Sequence, residues 1–127
     1  MRLVRQYNEI DCGICVAAMV AGTSWSAAVA ADENPESNLG LSVAEFVALC
    51  ARLGRPVIAS KSQYRCSLSD VRLPNVVVAL LVRRRRRRVG HYVAFDGKDI
   101  LDPANGRQSA KKYFAQDLVL IRMFLSE

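Results

Sequence analysis

Cys12, His91 and Asp102 are residue types that together can break an amide by nucleophilic attack. Cys12 follows Asp11 at the head of an apolar stretch, Ile14, Cys15, Val16, Met19 and Val20, which reads as a helix with Asp11 as N-cap and Gly22 as stop. A thiol in the first helical turn meets unpaired backbone N–H groups and the positive end of the macrodipole, which stabilise its thiolate. His91 is the single histidine, so a Cys–His mechanism must use it. If Asp96-Gly97 is a two-residue hairpin turn, Phe95 faces Lys98, Val93 faces Ile100 and His91 faces Asp102. Facing residues have Cβ atoms about 4.5–5.5 Å apart, so the carboxylate can accept a bond from the imidazole and orient it. Cys12 then reads as nucleophile, His91 as general base and acid, and Asp102 as the orienting acid. A lone histidine on an apolar strand is otherwise a satisfied core residue. The aspartate opposite it and the cysteine upstream tip the reading toward a base.

These residues need elements to hold them. Thr23 or Ser24 caps an Ala-rich segment from Trp25 to Ala31, and Asp32 to Gly40 reads as loop. Ser42-Val43-Ala44-Glu45 is a capping box, followed by an apolar stripe at Val43, Phe46, Val47, Cys50 and Leu53 that Gly54 and Pro56 end. From Pro56 onward strand signals take over: Val57 to Ser60, Val76 to Val82, Val89 to Phe95 and Ile100 to Asp102, with a brief helical turn at Ser67 to Asp70. Ser109 to Phe114 is a last helical turn, and Leu118 to Leu125, apolar on both alternating faces except at Arg122, suits a strand covered on both sides. Helices first and strands later predict an α+β domain over residues 1–127, a helical half packed on an antiparallel sheet.

Gln6 six positions before Cys12 in an Asp-Cys-Gly setting, then Gly90-His91-Tyr92-Val93, then Ile100-Leu101-Asp102-Pro103-Ala104-Asn105-Gly106, resembles the C39 peptidases. These are papain-like cysteine proteases that trim double-glycine leaders from bacteriocin and peptide precursors. The resemblance runs from about Val4 to Leu125 and takes in the Leu41 to Gly54 helix. It implies a papain-like fold and a catalytic set of Gln6, Cys12, His91 and Asp102, acting on a peptide or protein substrate without a cofactor or metal. It also implies that the Gln6 amide and the Cys12 backbone N–H form an oxyanion hole. Such domains are commonly fused to membrane-spanning exporters, so the expectation here is a free-standing relative or an excised domain. The same residues also suit a deamidase, amidase or transferase serving as a toxin or effector, or a non-catalytic module that binds a peptide or partner. All four matching residues are present, which favours an enzyme.

Composition narrows the setting. No apolar run approaches the roughly 20 residues of a membrane-spanning helix, and early arginines interrupt any signal-peptide core. The four cysteines are then expected as free thiols in a reducing cytoplasm. Cys12-Gly13-Ile14-Cys15 can also be read as a redox pair or half a zinc site. Zinc would further need Cys66 and Cys50, the latter committed to an apolar stripe, and the first eleven residues cannot supply a thioredoxin-like βαβ unit. Net charge is +6, and Arg83, Arg84, Arg85, Arg86, Arg87 and Arg88 form one run outside which basic and acidic residues balance. The run falls between two predicted strands. It reads either as a solvated hairpin tip, several residues' rise from His91, or as a contact for an acidic protein, a nucleic acid or an anionic membrane surface.

Overall fold

A computed structural model describes every residue except 9, 34–39 and 62–65, and the side chain of Cys66. The expected loop from Asp32 to Gly40 thus falls largely outside the described residues, as does the Cys66 thiol counted toward a zinc site.

Three helices come first: α1 (Cys12–Ala21), α2 (Trp25–Ala31) and α3 (Val43–Arg52). Apolar on all sides, α1 is buried from Cys12 to Val20, as expected of a helix with no polar face. Gly22 ends it at φ 71°, a left-handed cap that returns its N–H to the Ala18 and Met19 carbonyls. In α3 the capping box forms as its sequence predicts, Glu45 N to Ser42 Oγ at 3.2 Å and Ser42 N to Glu45 Oε1 at 2.9 Å. Its Phe46, Leu49 and Cys50 face inward.

The remaining chain forms β1 (Val57–Ala59), β2 (Cys66–Ser67), a 3₁₀ turn at Leu68–Asp70, β3 (Val77–Arg84), β4 (His91–Phe95), β5 (Asp99–Asp102), β6 (Gly106–Ser109), α4 (Ala110–Phe114) and β7 (Leu118–Ser126). The strands make one seven-stranded sheet in the order β1-β7-β3-β4-β5-β6, with β2 also on β7, and every pair is antiparallel. The short strands β2 and β6 carry too little periodicity to be read from sequence.

Alternation sorts the sheet's side chains onto two faces. Ala79, Tyr92, Ala94, Leu101 and Phe124 meet the three helices. Leu80, Val82, Val93, Ile100 and Leu120 meet Leu68 and Tyr113 on the other side. β7 is therefore covered on both faces, as its unbroken apolar run predicts. Phe46 of α3 centres the helical side, its ring 4.7 Å from Tyr92 and 4.6 Å from Phe124. Phe46→Ala is expected to cost about 3–5 kcal/mol. Urea unfolding should read this as a lower midpoint with an unchanged m-value.

The β4–β5 hairpin departs from the predicted register. Ala94 pairs with Leu101 and Phe95 with Ile100, not with Lys98. The cause is Asp96, whose Oδ1 accepts from Lys98 N at 3.0 Å and Asp99 N at 2.7 Å, closing a wider loop. Continued, this register sets Asp102 opposite Val93 instead of His91. A slip of two residues preserves the face of every side chain, so His91 and Asp102 remain diagonal neighbours.

Candidate active site

Cys12 is the first residue of α1, so its backbone N–H has no acceptor within the helix. Gly13 lets that turn sit close to the sheet: a Cβ there would lie 3.1 Å from Leu41 Cδ1 and 3.2 Å from Tyr92 Cδ2. Tyr92 Oη in turn donates to Leu41 O at 3.1 Å, fixing the lead into α3 against β4. His91 is the opening residue of β4, the strand on which α1 packs.

The imidazole joins two partners. Nε2 lies 2.7 Å from Asp102 Oδ1, and the Cys12 thiol lies close enough to the ring to raise its pKa. With Nε2 engaged by the aspartate, Nδ1 is the nitrogen left for the thiol. Burial by itself lowers the His91 pKa, but the bonds to Asp102 and Cys12 and their charges outweigh it and push it up to about 10. Asp102 is 2% exposed. Burial raises its pKa, and the His91 bond and charge, the Ala104 N–H at 2.8 Å and the Asn105 amide at 3.3 Å together hold it below the ordinary carboxylate range. Cys12, His91 and Asp102 thus form one chain of contacts from helix to sheet.

Asp11 departs from its predicted role. It occupies the N-cap position, yet its side chain makes no cap bond. The carboxylate turns back instead, accepting from Tyr7 N at 2.9 Å, Asn8 N at 3.2 Å and Trp25 Nε1 at 3.1 Å. The acid therefore clamps the segment before Cys12 to α2. Two partners precede it by three and four residues and the third lies fourteen residues on, so none is the helix N–H that cap statistics anticipate.

Gln6 is placed by that segment. Its backbone N donates to Pro103 O at 3.1 Å, pinning it beside the turn that follows Asp102. Its Nε2 donates to Asn8 O at 2.9 Å, which leaves the second amide hydrogen free, while Oε1 is buried without a donor. Cys12 is 7% exposed. Cys15 and Cys50 are fully buried, and burial pushes both up to about 12.

Two hollows flank the Cys12–His91 pair and share Val89 and Gly90 as a wall. One, about 490 Å³, contains Cys12 among Ile10, Leu41, Val43 and Leu81, with Arg88 and Arg122. The other, about 300 Å³, contains His91 and Asp102 with Arg84 and Arg87. The expected separation of arginine run and base holds for the tip but not for the whole run. β3 extends through Arg84 to a turn at 85–86, where Arg85 bonds Asp117 Oδ1 at 2.9 Å, next along from the Arg84–Leu118 pair, and Ser67 Oγ, while Arg83, Arg84 and Arg87 line the hollow of His91. Asn105 and Arg122 also line the site, although in sequence Arg122 reads only as the one charge in an apolar strand.

No family model and no curated protein matches the sequence. Solved structures do match the fold. The peptidase domain of Streptococcus ComA, a bi-functional ABC transporter involved in a quorum-sensing pathway, superposes with TM-score 0.61 at 20% identity, covering 96% of this chain and 97% of that one. The peptidase domain of Streptococcus mutans ComA gives 0.60 at 18% identity over 100% and 99% of the two chains. A double-glycine-motif protease from an AMS/PCAT transporter, solved in complex with its leader peptide, gives 0.60 at 17% identity over 96% and 90%. The resemblance read from the sequence is matched by these neighbours at the level of fold: the chain has the papain-like cysteine-peptidase fold of double-glycine transporter peptidase domains.

Proposed function

We propose that this protein is a cysteine peptidase that cleaves a peptide bond through Cys12, His91 and Asp102. The observation that carries the reading is the 2.7 Å bond from His91 Nε2 to Asp102 Oδ1, with the Cys12 thiol close enough to the same ring to raise its pKa. The Cys12 thiolate attacks the scissile carbonyl carbon, forming a C–S bond and moving the carbonyl π pair onto oxygen. The Cys12 backbone N–H and the second Nε2 hydrogen of Gln6 donate to that oxyanion. Protonated His91 gives its proton to the amide nitrogen as the C–N bond breaks, leaving a thioester. Neutral His91 then takes a proton from water, hydroxide adds to the thioester, and the acid leaves as Cys12 thiolate and protonated His91 return. Asp102 holds the ring and its charge through both steps.

Peptides with a Gly-Gly site are the substrates to test first, because a structural neighbour is a double-glycine-motif protease bound to a leader peptide. Mass spectrometry of a peptide library that includes Gly-Gly sequences should show products with wild type and none with Cys12→Ala. Equal products from both would remove Cys12 from the chemistry. Limited iodoacetamide treatment at neutral pH should modify Cys12 before Cys15 or Cys50. Gln6→Ala should slow turnover by about 10²–10³ and leave Cys12 alkylation largely intact, since an oxyanion donor acts mainly in the transition state. Loss of alkylation together with turnover would make Gln6 structural.

A further inference from the structure

Six consecutive arginines repel one another, so a tip with no task is expected to extend into solvent. This one is exposed but anchored at its base. Arg85 is held by Asp117 and Ser67, and Arg83 Nη1 donates to the Arg85 carbonyl at 3.0 Å, with the Arg84 and Arg87 carbonyls each at 3.4 Å. Arg84, Arg86, Arg87 and Arg88 are exposed and have no acidic partner among the described residues. Outside the run, Arg107 bridges Asp96 and Asp99, and Arg52 meets Glu33.

The unmatched cations surround the candidate active site. A third hollow of about 500 Å³ lies among Arg83, Arg85, Arg86, Arg87, Arg88 and Ile121. It shares Arg88 and Ile121 with the Cys12 hollow, and Arg83 and Arg87 with the His91 hollow. The three hollows thus adjoin one another beside Cys12 and His91.

We propose that the arginine run, with Arg122, selects substrate peptides that carry Asp or Glu residues close to the scissile bond. The inference rests on the peptidase reading and names the substrate class for the same site. Guanidinium pairs carboxylates bidentately, and the apolar wall of Ile10, Leu41, Val43 and Leu81 beside Arg88 and Arg122 suits alternating apolar and acidic side chains. A single-stranded nucleic acid is the poorer fit. It needs exposed aromatic platforms for its bases, whereas the aromatic residues lining these hollows, Tyr92 and Tyr113, are buried.

The test uses two fluorescent peptides with a central Gly-Gly, identical except that one carries Glu and the other Gln at the flanking positions. Against Cys12→Ala, which leaves peptide intact, the Glu peptide should bind at least about ten-fold tighter at low salt, the gain of several partly exposed ion pairs. The advantage should shrink as salt rises. It should fall toward parity when Arg84, Arg86, Arg87 and Arg88 are all changed to Gln, with Arg83 and Arg85 kept because they anchor the tip. Salt titration of the unsubstituted run gives the same answer should that variant fold poorly. On wild type the Glu peptide should also protect Cys12 from iodoacetamide, which only an occupant of the cleft can do. Equal binding of the two peptides, binding without protection of Cys12, or displacement of the Glu peptide by an oligonucleotide of equal charge at lower concentration would each overturn the proposal. Since no readout needs turnover, a Glu peptide that binds and protects but is never cleaved would uphold it and remove the hydrolytic reading instead.

Discussion

Asp102→Asn is expected to lower peptide turnover by about 10³–10⁴-fold and to move the alkaline limb of its pH profile toward neutrality. In wild type, His91 stays protonated until pH rises through about 10, because the Asp102 and Cys12 interactions outweigh burial. Asparagine keeps the shape but removes the charge, so the limb should fall from about 10 toward the ordinary imidazole value of 6.5. The sign for stability follows from the same shifts. His91 has a raised folded pKa, so its contribution is complete below 6.5 and is lost as pH rises through about 10. Asp102 has a lowered one, so its contribution is present above the ordinary carboxylate value and is lost as pH falls through the depressed value. A kcat/KM profile measured on any cleaved peptide tests the shift. An unmoved alkaline limb would mean that a group other than the His91–Asp102 pair controls it.

Asp11→Ala should lower both stability and activity. The carboxylate is 7% exposed and serves Tyr7 N, Asn8 N and Trp25 Nε1. Its removal leaves three donors short of an acceptor in a partly dry site, at a cost of roughly 2–4 kcal/mol. Activity should fall further than stability alone accounts for, because the released segment also carries Gln6. Thermal unfolding and turnover measured below the transition separate the two effects. Retained stability with wild-type turnover would reduce Asp11 to an ordinary helix-start residue. Asp11→Asn should be intermediate, as one oxygen remains and the new amide hydrogens face other donors.

Local signals in the sequence were sufficient for α1, α2 and α3, for the capping box at Ser42 and Glu45, and for the antiparallel strand succession, since each depends on neighbours within about one helical turn or strand pair. They also placed Cys12 at a helix start, and put His91 and Asp102 on one sheet face, a relation that survives the two-residue slip of the hairpin. Only the tertiary structure decided the rest. The register depended on where the Asp96 carboxylate found its donors, and the task of Asp11 on a tryptophan in the next helix. Gln6 was placed by a backbone bond to Pro103 at the far end of the chain. Charge repulsion within the arginine run predicts an outward tip. That Arg83, Arg84 and Arg87 also line the hollow of His91 goes with the anchoring of Arg85 by Asp117 and Ser67, on other strands and their connections, whose bonds no local pattern encodes.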